Sequence, residues 1–253
     1  MIWPLFRYIL MAAARDRFFF SVAGILVIVI ALSVFFGSSV LNEQDQFTRS
    51  FAAFGFRMFG VVALVLFVVS FIRRCFEGRD IEYLLSRPIG RVPFIVTHAL
   101  AFTCLALLAA LLLGGATVAL ETGSWHDGIF LWWASIGTEF IIMANVAMFF
   151  AFVMNSSMAC IMVVFLFYLL SRLMGDILGI LHRGALDGVL GFLSKIMEVI
   201  SVFVPRLDLM GQTKWILYGA PTDISFVFLI GQAAVFVAVV VCATTLDMYK
   251  RQF

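Results

Sequence analysis

Six long apolar runs limit what this chain can fold into. Residues 18–36, 51–72, 92–120, 129–153, 159–173 and 224–245 carry almost no charge. The hydrocarbon core of a bilayer is ~30 Å thick, and an α-helix crosses it with about 20 apolar residues. Because lipid offers no hydrogen bonds to the backbone, helices are the expected spanning element. Composition agrees: 64% of the residues are hydrophobic, only 13% are charged, and the mean hydropathy is +1.11. A soluble chain is about half apolar and a quarter charged. The expectation is an all-α polytopic membrane protein. Six transmembrane helices make one domain over residues 1–253, with no internal repeat and no low-complexity tract.

The segments between the runs have characters of their own. Residues 1–17, MIWPLFRYILMAAARDR, mix arginines with Trp3, Phe6 and Tyr8. A secretory signal places its charges first and a small-residue cleavage site last. This stretch reads instead as an interfacial amphipathic helix with membrane lipid as its partner. GSSVLNEQDQFTRS reads as a polar loop, ETGSWHDG as a short loop and MNSSM as a tight turn, while Trp132 and Trp133 suit an aromatic belt. If the N-terminus is cytoplasmic, the inner loops hold ten Lys and Arg residues. The outer ones hold five, with Arg172 at a boundary. The positive-inside rule then puts both termini in the cytoplasm.

Residues 175–221 form a long outer segment. Asp176, Arg183, Asp187, Ser194 and Glu198 recur at steps of seven and four, one polar stripe on an otherwise apolar helix. Such a segment is re-entrant or interfacial in the outer leaflet, or else it caps the bundle as a plain surface helix. Pro205 ends it, and RLDLMGQTKW reads as a loop with a short return.

Several functional classes find no support. A net charge of +2 is too small to suggest a nucleic-acid partner. Cys75, Cys104, Cys160 and Cys242 are isolated, so neither a disulfide framework nor a metal site is indicated. The twelve Met residues are scattered as core filling or lipid contact. No phosphate-binding G-x-x-x-x-G-K-[ST] motif is present, and GQTK at Gly211 is too short to serve. No cofactor is expected.

Three ionisable residues lie inside the apolar runs: Arg57, His98 and Glu139. A mid-span Arg costs roughly 2.5–3.5 kcal/mol to insert, and each Leu, Ile, Phe or Val returns about 0.3–0.6. Residues 51–72 hold fourteen of the latter, so that run inserts despite Arg57. Arg57 and Glu139 sit at similar expected depth, about 10 Å below the outer ends of their runs. They can form an intramembrane pair or line a pathway. The other reading has Arg57 snorkelling and Glu139 hydrogen-bonded to Asn145 or Thr138. His98 reads as a satisfied interface histidine.

One densely charged stretch, RRCFEGRDIEYLLSRPIGR, separates the second and third runs. Glu77, Asp80 and Glu82 precede Arg87, the order the helix dipole prefers. Pro88 ends the helix. Ile81, Leu84 and Leu85 make an apolar stripe of barely two turns. It is too short to span, and spacing alone leaves two roles open. The helix lies on the membrane surface, or it docks into a groove on a cytoplasmic partner.

EGRDIEYLLSRPIGRVPF resembles the signature of the type-2 ABC transporter permeases, in their multi-copper maturation and drug or lipid export branch. The matching positions are Gly78, Ile81, Glu82, Leu84, Leu85, Ser86, Pro88, Ile89, Arg91 and Phe94. RDRFFF is similar to that family's opening helix, and VPRLDLMG to its outer Pro-x-Leu-Asp-Leu element. The chain departs from the family at Asp80, where Thr is common, and at Thr97-His98, where Gly-Lys is common. The resemblance implies that residues 75–90 are a coupling helix seated in a groove of an ABC ATPase subunit. Glu77, Gly78, Asp80, Ile81, Glu82, Leu84, Leu85, Ser86, Pro88 and Arg91 would carry that contact. It further implies a non-enzymatic permease subunit of an exporter in a bacterial plasma membrane, paired with a second copy or a paralogue. An ion-coupled secondary carrier would need more intramembrane carboxylates than Glu139 and an inverted repeat. An intramembrane protease would need a serine motif facing His98, and none is present.

Overall fold

Each apolar run contributes one helix, and three of the helices outlast their runs by five residues or more. The computed structural model describes residues 2–40, 43–78, 90–119, 127–183, 204–219 and 226–250. In chain order the helices are α1 (Ile2–Arg15), α2 (Phe18–Gly37), α3 (Gln44–Glu77), α4 (Arg91–Ala119), α5 (Asp127–Val153) and α6 (Ser157–Arg183). A 3₁₀ turn at Leu207–Leu209, a short α7 (Lys214–Tyr218) and α8 (Phe226–Lys250) follow. No strand occurs among the described residues. Helices α2, α3, α4, α5, α6 and α8 are each long and apolar enough to cross a membrane. The protein is an all-α polytopic membrane protein.

Helix α3 starts at Gln44, seven residues before its apolar run, so the expected polar loop is largely helical. Hydropathy marks where lipid is tolerated, whereas hydrogen-bonded turns continue until something breaks them. QDQFTRS contains neither Gly nor Pro. At 34 residues α3 is about 51 Å long. Helix α6 likewise runs ten residues past its apolar run, so the outer segment begins as a continuation of that helix.

Burial sorts the helices. Helix α5 buries nineteen of its 27 residues and packs against α3, α4, α6, α7 and α8. Helix α8 buries five of 25, on one stripe from Leu229 to Met248. The central helix therefore carries the polar side chains, and the outer ones present hydrocarbon. Gly60 lets the centre close up: a Cβ there would meet the Phe140 ring and lie 2.8 Å from Leu113 Cδ1. Small residues at such crossings bring backbones together. This one brings the Arg57 turn of α3 against the Glu139 turn of α5. Trp132 is buried and Trp133 Nε1 donates to Ala110 O at 2.9 Å, so this pair packs inward instead of forming a belt.

Leu5, Ile9 and Ala13 form the buried face of α1, which packs on α4 and α2, while Trp3 and Tyr8 stay exposed. At this end of the bundle Arg74 pairs with Asp16. Here too Arg91 Nη1 donates to Met248 O at 2.9 Å and to Tyr249 O at 3.2 Å. A guanidinium on the last carbonyls of α8 satisfies acceptors that have no helical partner and suits the dipole. Residues 204–219 close the opposite end.

Candidate functional site

Residues 204–219 bury Leu207, Met210, Trp215 and Ile216, yet form only a 3₁₀ turn and one short helix. A buried backbone without a ladder needs outside partners. At membrane depth, irregular backbone is tolerated only where protein supplies them. Helices α3, α5 and α6 do so. Arg57 Nη1 donates to Gly211 O. Gly211 N–H donates to Ser135 Oγ at 2.9 Å. Arg172 Nη1 donates to Leu207 O and, at 2.7 Å, to Met210 O. Gly211 is level with Ser135, eight residues into α5, so the segment re-enters the bundle by about 12 Å. Gly211 has φ +58°, in the left-handed region that favours glycine.

Glu139 lies one turn beyond Ser135 and is fully buried. Its Oε1 accepts the Tyr168 hydroxyl at 2.8 Å. Its Oε2 lies 3.7 Å from Arg172 Nη1 and, among the described residues, accepts no hydrogen bond. Arg57 stands close enough to feel both Glu139 and Arg172. The cluster thus joins two guanidiniums to one carboxylate. The carbonyls of Leu207, Met210 and Gly211 supply the remaining negative ends. An ionised carboxylate out of water is costly unless paired and hydrogen-bonded, and here it is both. Thr138 Oγ1 donates to Ser135 O at 2.8 Å and approaches Met210 Sδ at 3.6 Å. The arrangement straps residues 204–219 across this end of the bundle, between α3, α5 and α6.

Arg57 and Glu139, singled out as costly residues, fall on either side of Gly211. A Cβ on that glycine would lie 3.2 Å from Glu139 Oε2 and 3.3 Å from Arg57 Cδ. Among the described residues, the cation within ion-pair distance of Glu139 is Arg172, and Arg57 holds the Gly211 carbonyl. Asn145 bonds to Thr103 Oγ1 and Ile141 O. Tyr168, Arg172, Ser135 and Gly211 were not legible as site residues. Their available signal was the i,i+4 spacing of Tyr168 and Arg172, which puts both on one face once α6 is known to continue. His98 is buried among Phe94, Phe102 and Phe152, and its Nδ1–H donates to Phe94 O at 2.9 Å.

Of the expected coupling residues, Glu77 ends α3 and Gly78 caps it, its N–H bonded to Arg74 O at 2.8 Å. Arg91 opens α4 and holds the end of α8. Asp80, Ile81, Glu82, Leu84, Leu85, Ser86 and Pro88 lie outside the described residues. So do residues 184–203 of the outer segment. No protein-family model matches the chain, and no curated protein matches it.

Proposed function

We propose that this chain is the membrane-spanning permease subunit of an ATP-driven exporter. A separate ATPase subunit hydrolyses ATP, and a second copy or a paralogue completes the pathway. The membrane is a bacterial plasma membrane, with both termini in the cytoplasm. The observation that carries this reading is the charged, amphipathic stretch between Glu77 and Arg91, with its resemblance to the coupling segment of type-2 ABC permeases. The six-helix architecture is compatible with it.

The geometry supports a route for coupling. Glu77 and Arg57 lie on the same continuous helix, twenty residues and about 30 Å apart. A displacement at the Glu77 end therefore moves the guanidinium that grips Gly211 O at the other. In this reading the ATPase acts on the segment after Glu77, α3 carries the movement, and the strap over the outer mouth is released.

The test is co-purification of the ATPase with tagged Leu84→Asp and Glu82→Arg variants. Both are expected to reach the membrane and to lose the ATPase along with transport-linked hydrolysis. Retention of both properties in both variants would reduce the stretch to a surface helix and remove the basis for the reading.

A further inference from the structure

We propose that the groove between α2 and α3 binds one anionic phospholipid. Arg17 holds its phosphate, and one acyl chain lies along the two helices. The groove is a cavity of about 900 Å³, within the range of small-ligand sites. Its polar residues gather at one end, among Phe18, Phe20 and Phe67. Asp16, Arg17, Ser21, Ser70 and Arg74 lie at one end. Ile25, Phe59, Val62, Ala63 and Leu66 line the rest.

The length of the apolar part matches one leaflet. From Ser70 to Phe59 is eleven residues along α3, about 16 Å, and half of a ~30 Å hydrocarbon core is ~15 Å. The charge at the polar end matches an anionic head. Asp16 is taken up by Arg74, which leaves Arg17 in surplus, with exposed Arg15 on the same corner. Arginines at a bilayer surface favour anionic lipid. Arg17 also holds φ 59°, a left-handed conformation that glycine adopts without steric cost. The chain keeps a long cation there, at the rim of the groove. A free anion would leave the 16 Å apolar channel without purpose. A second protein chain would have no use for a polar end and an apolar length that coincide with a leaflet.

The experiment uses the full chain, purified in detergent and stripped of lipid. Phosphatidylglycerol, phosphatidylcholine or inorganic phosphate is added, and binding is read by native mass spectrometry and melting temperature. Arg17→Gly removes the cation while suiting the left-handed backbone. Ala63→Phe fills the groove and leaves the cationic end intact. Phosphatidylglycerol is expected to bind the wild type more tightly than phosphatidylcholine, and about fivefold more weakly after Arg17→Gly. Ala63→Phe is expected to abolish its retention. Equal binding of the two lipids, or phosphatidylglycerol binding unchanged by Arg17→Gly, overturns the proposal. So does inorganic phosphate that stabilises the wild type as much as phosphatidylglycerol does, phosphatidylglycerol retention that survives Ala63→Phe, or a lipid-free dimer cross-linked through Phe59 and Leu66.

Discussion

Replacing Glu139 by Gln removes the carboxylate from a cluster that holds one buried guanidinium, Arg57, and one half-buried, Arg172. The contact between Glu139 Oε2 and Arg172 Nη1 is 3.7 Å. At an effective dielectric of about 20 the Coulomb attraction at that range is about 4 kcal/mol, before desolvation is counted. Breaking a buried pair on one side typically costs roughly 3–5 kcal/mol. Arg172 keeps the Leu207 and Met210 carbonyls, and its side chain is 19% exposed, so the low end applies. Glu139→Gln should therefore lose about 3 kcal/mol. Arg172→Gln should lose at least as much, because it also releases two carbonyls of the strap. The double variant should fall short of the sum by about 2 kcal/mol, within the usual range for residues in contact. The same cycle on Arg57 and Glu139 should show less coupling, since the bonded partner of Arg57 is Gly211 O. The assay is reversible unfolding in mixed micelles with increasing sodium dodecyl sulfate. Additive losses for Glu139 with Arg172 would refute the pairing.

Gly211→Ala forces a Cβ into the left-handed region and to 3.1–3.3 Å from Ile136, Glu139 and Arg57. A loss of about 2 kcal/mol is expected in the same unfolding assay. Arg91→Met removes the clamp on the Met248 and Tyr249 carbonyls. It should cost about 2 kcal/mol and speed amide exchange in the last turn of α8 and not in α5, as hydrogen-exchange mass spectrometry would record. Single cysteines at Glu43 and Asp127, in a background without the four native ones, should label from outside the cell and one at Lys250 from the cytoplasm. Labelling of position 43 only from the cytoplasm would invert the arrangement.

The spanning helices were legible because spanning lipid demands a long apolar run, and each of the six runs contributes one helix. Their ends were not, since the polar start of α3 and the far end of α6 are set by hydrogen bonding and packing, which hydropathy does not read. That error displaced the site. With a run ending at 173, Arg172 counted as a boundary residue, although α6 continues to Arg183. Arg57 and Glu139 stood out because a charge within an apolar run needs a partner. The partners of both arginines are mainly backbone carbonyls of residues 207–211, and a carbonyl has no side chain by which a sequence could announce it.

The turn between α5 and α6 bears on biosynthesis. Glu139 lies fifteen residues before Met154, and Arg172 lies sixteen residues after Ser156. The two charges are thus at matching distances from the bend. Inserted alone, a mid-span charge costs roughly 2.5–3.5 kcal/mol. Helix α5 would bear that cost by itself if it left the ribosome and entered lipid before α6. Entering as a folded-back hairpin, carboxylate and guanidinium reach the same depth together and cross as one neutral unit. The twelve Leu, Ile, Phe and Val residues of 129–153 outweigh that cost, so α5 inserts either way, and the hairpin spares it an unpaired carboxylate in lipid. The three residues at the bend thereby keep carboxylate and guanidinium together from membrane insertion to the finished site.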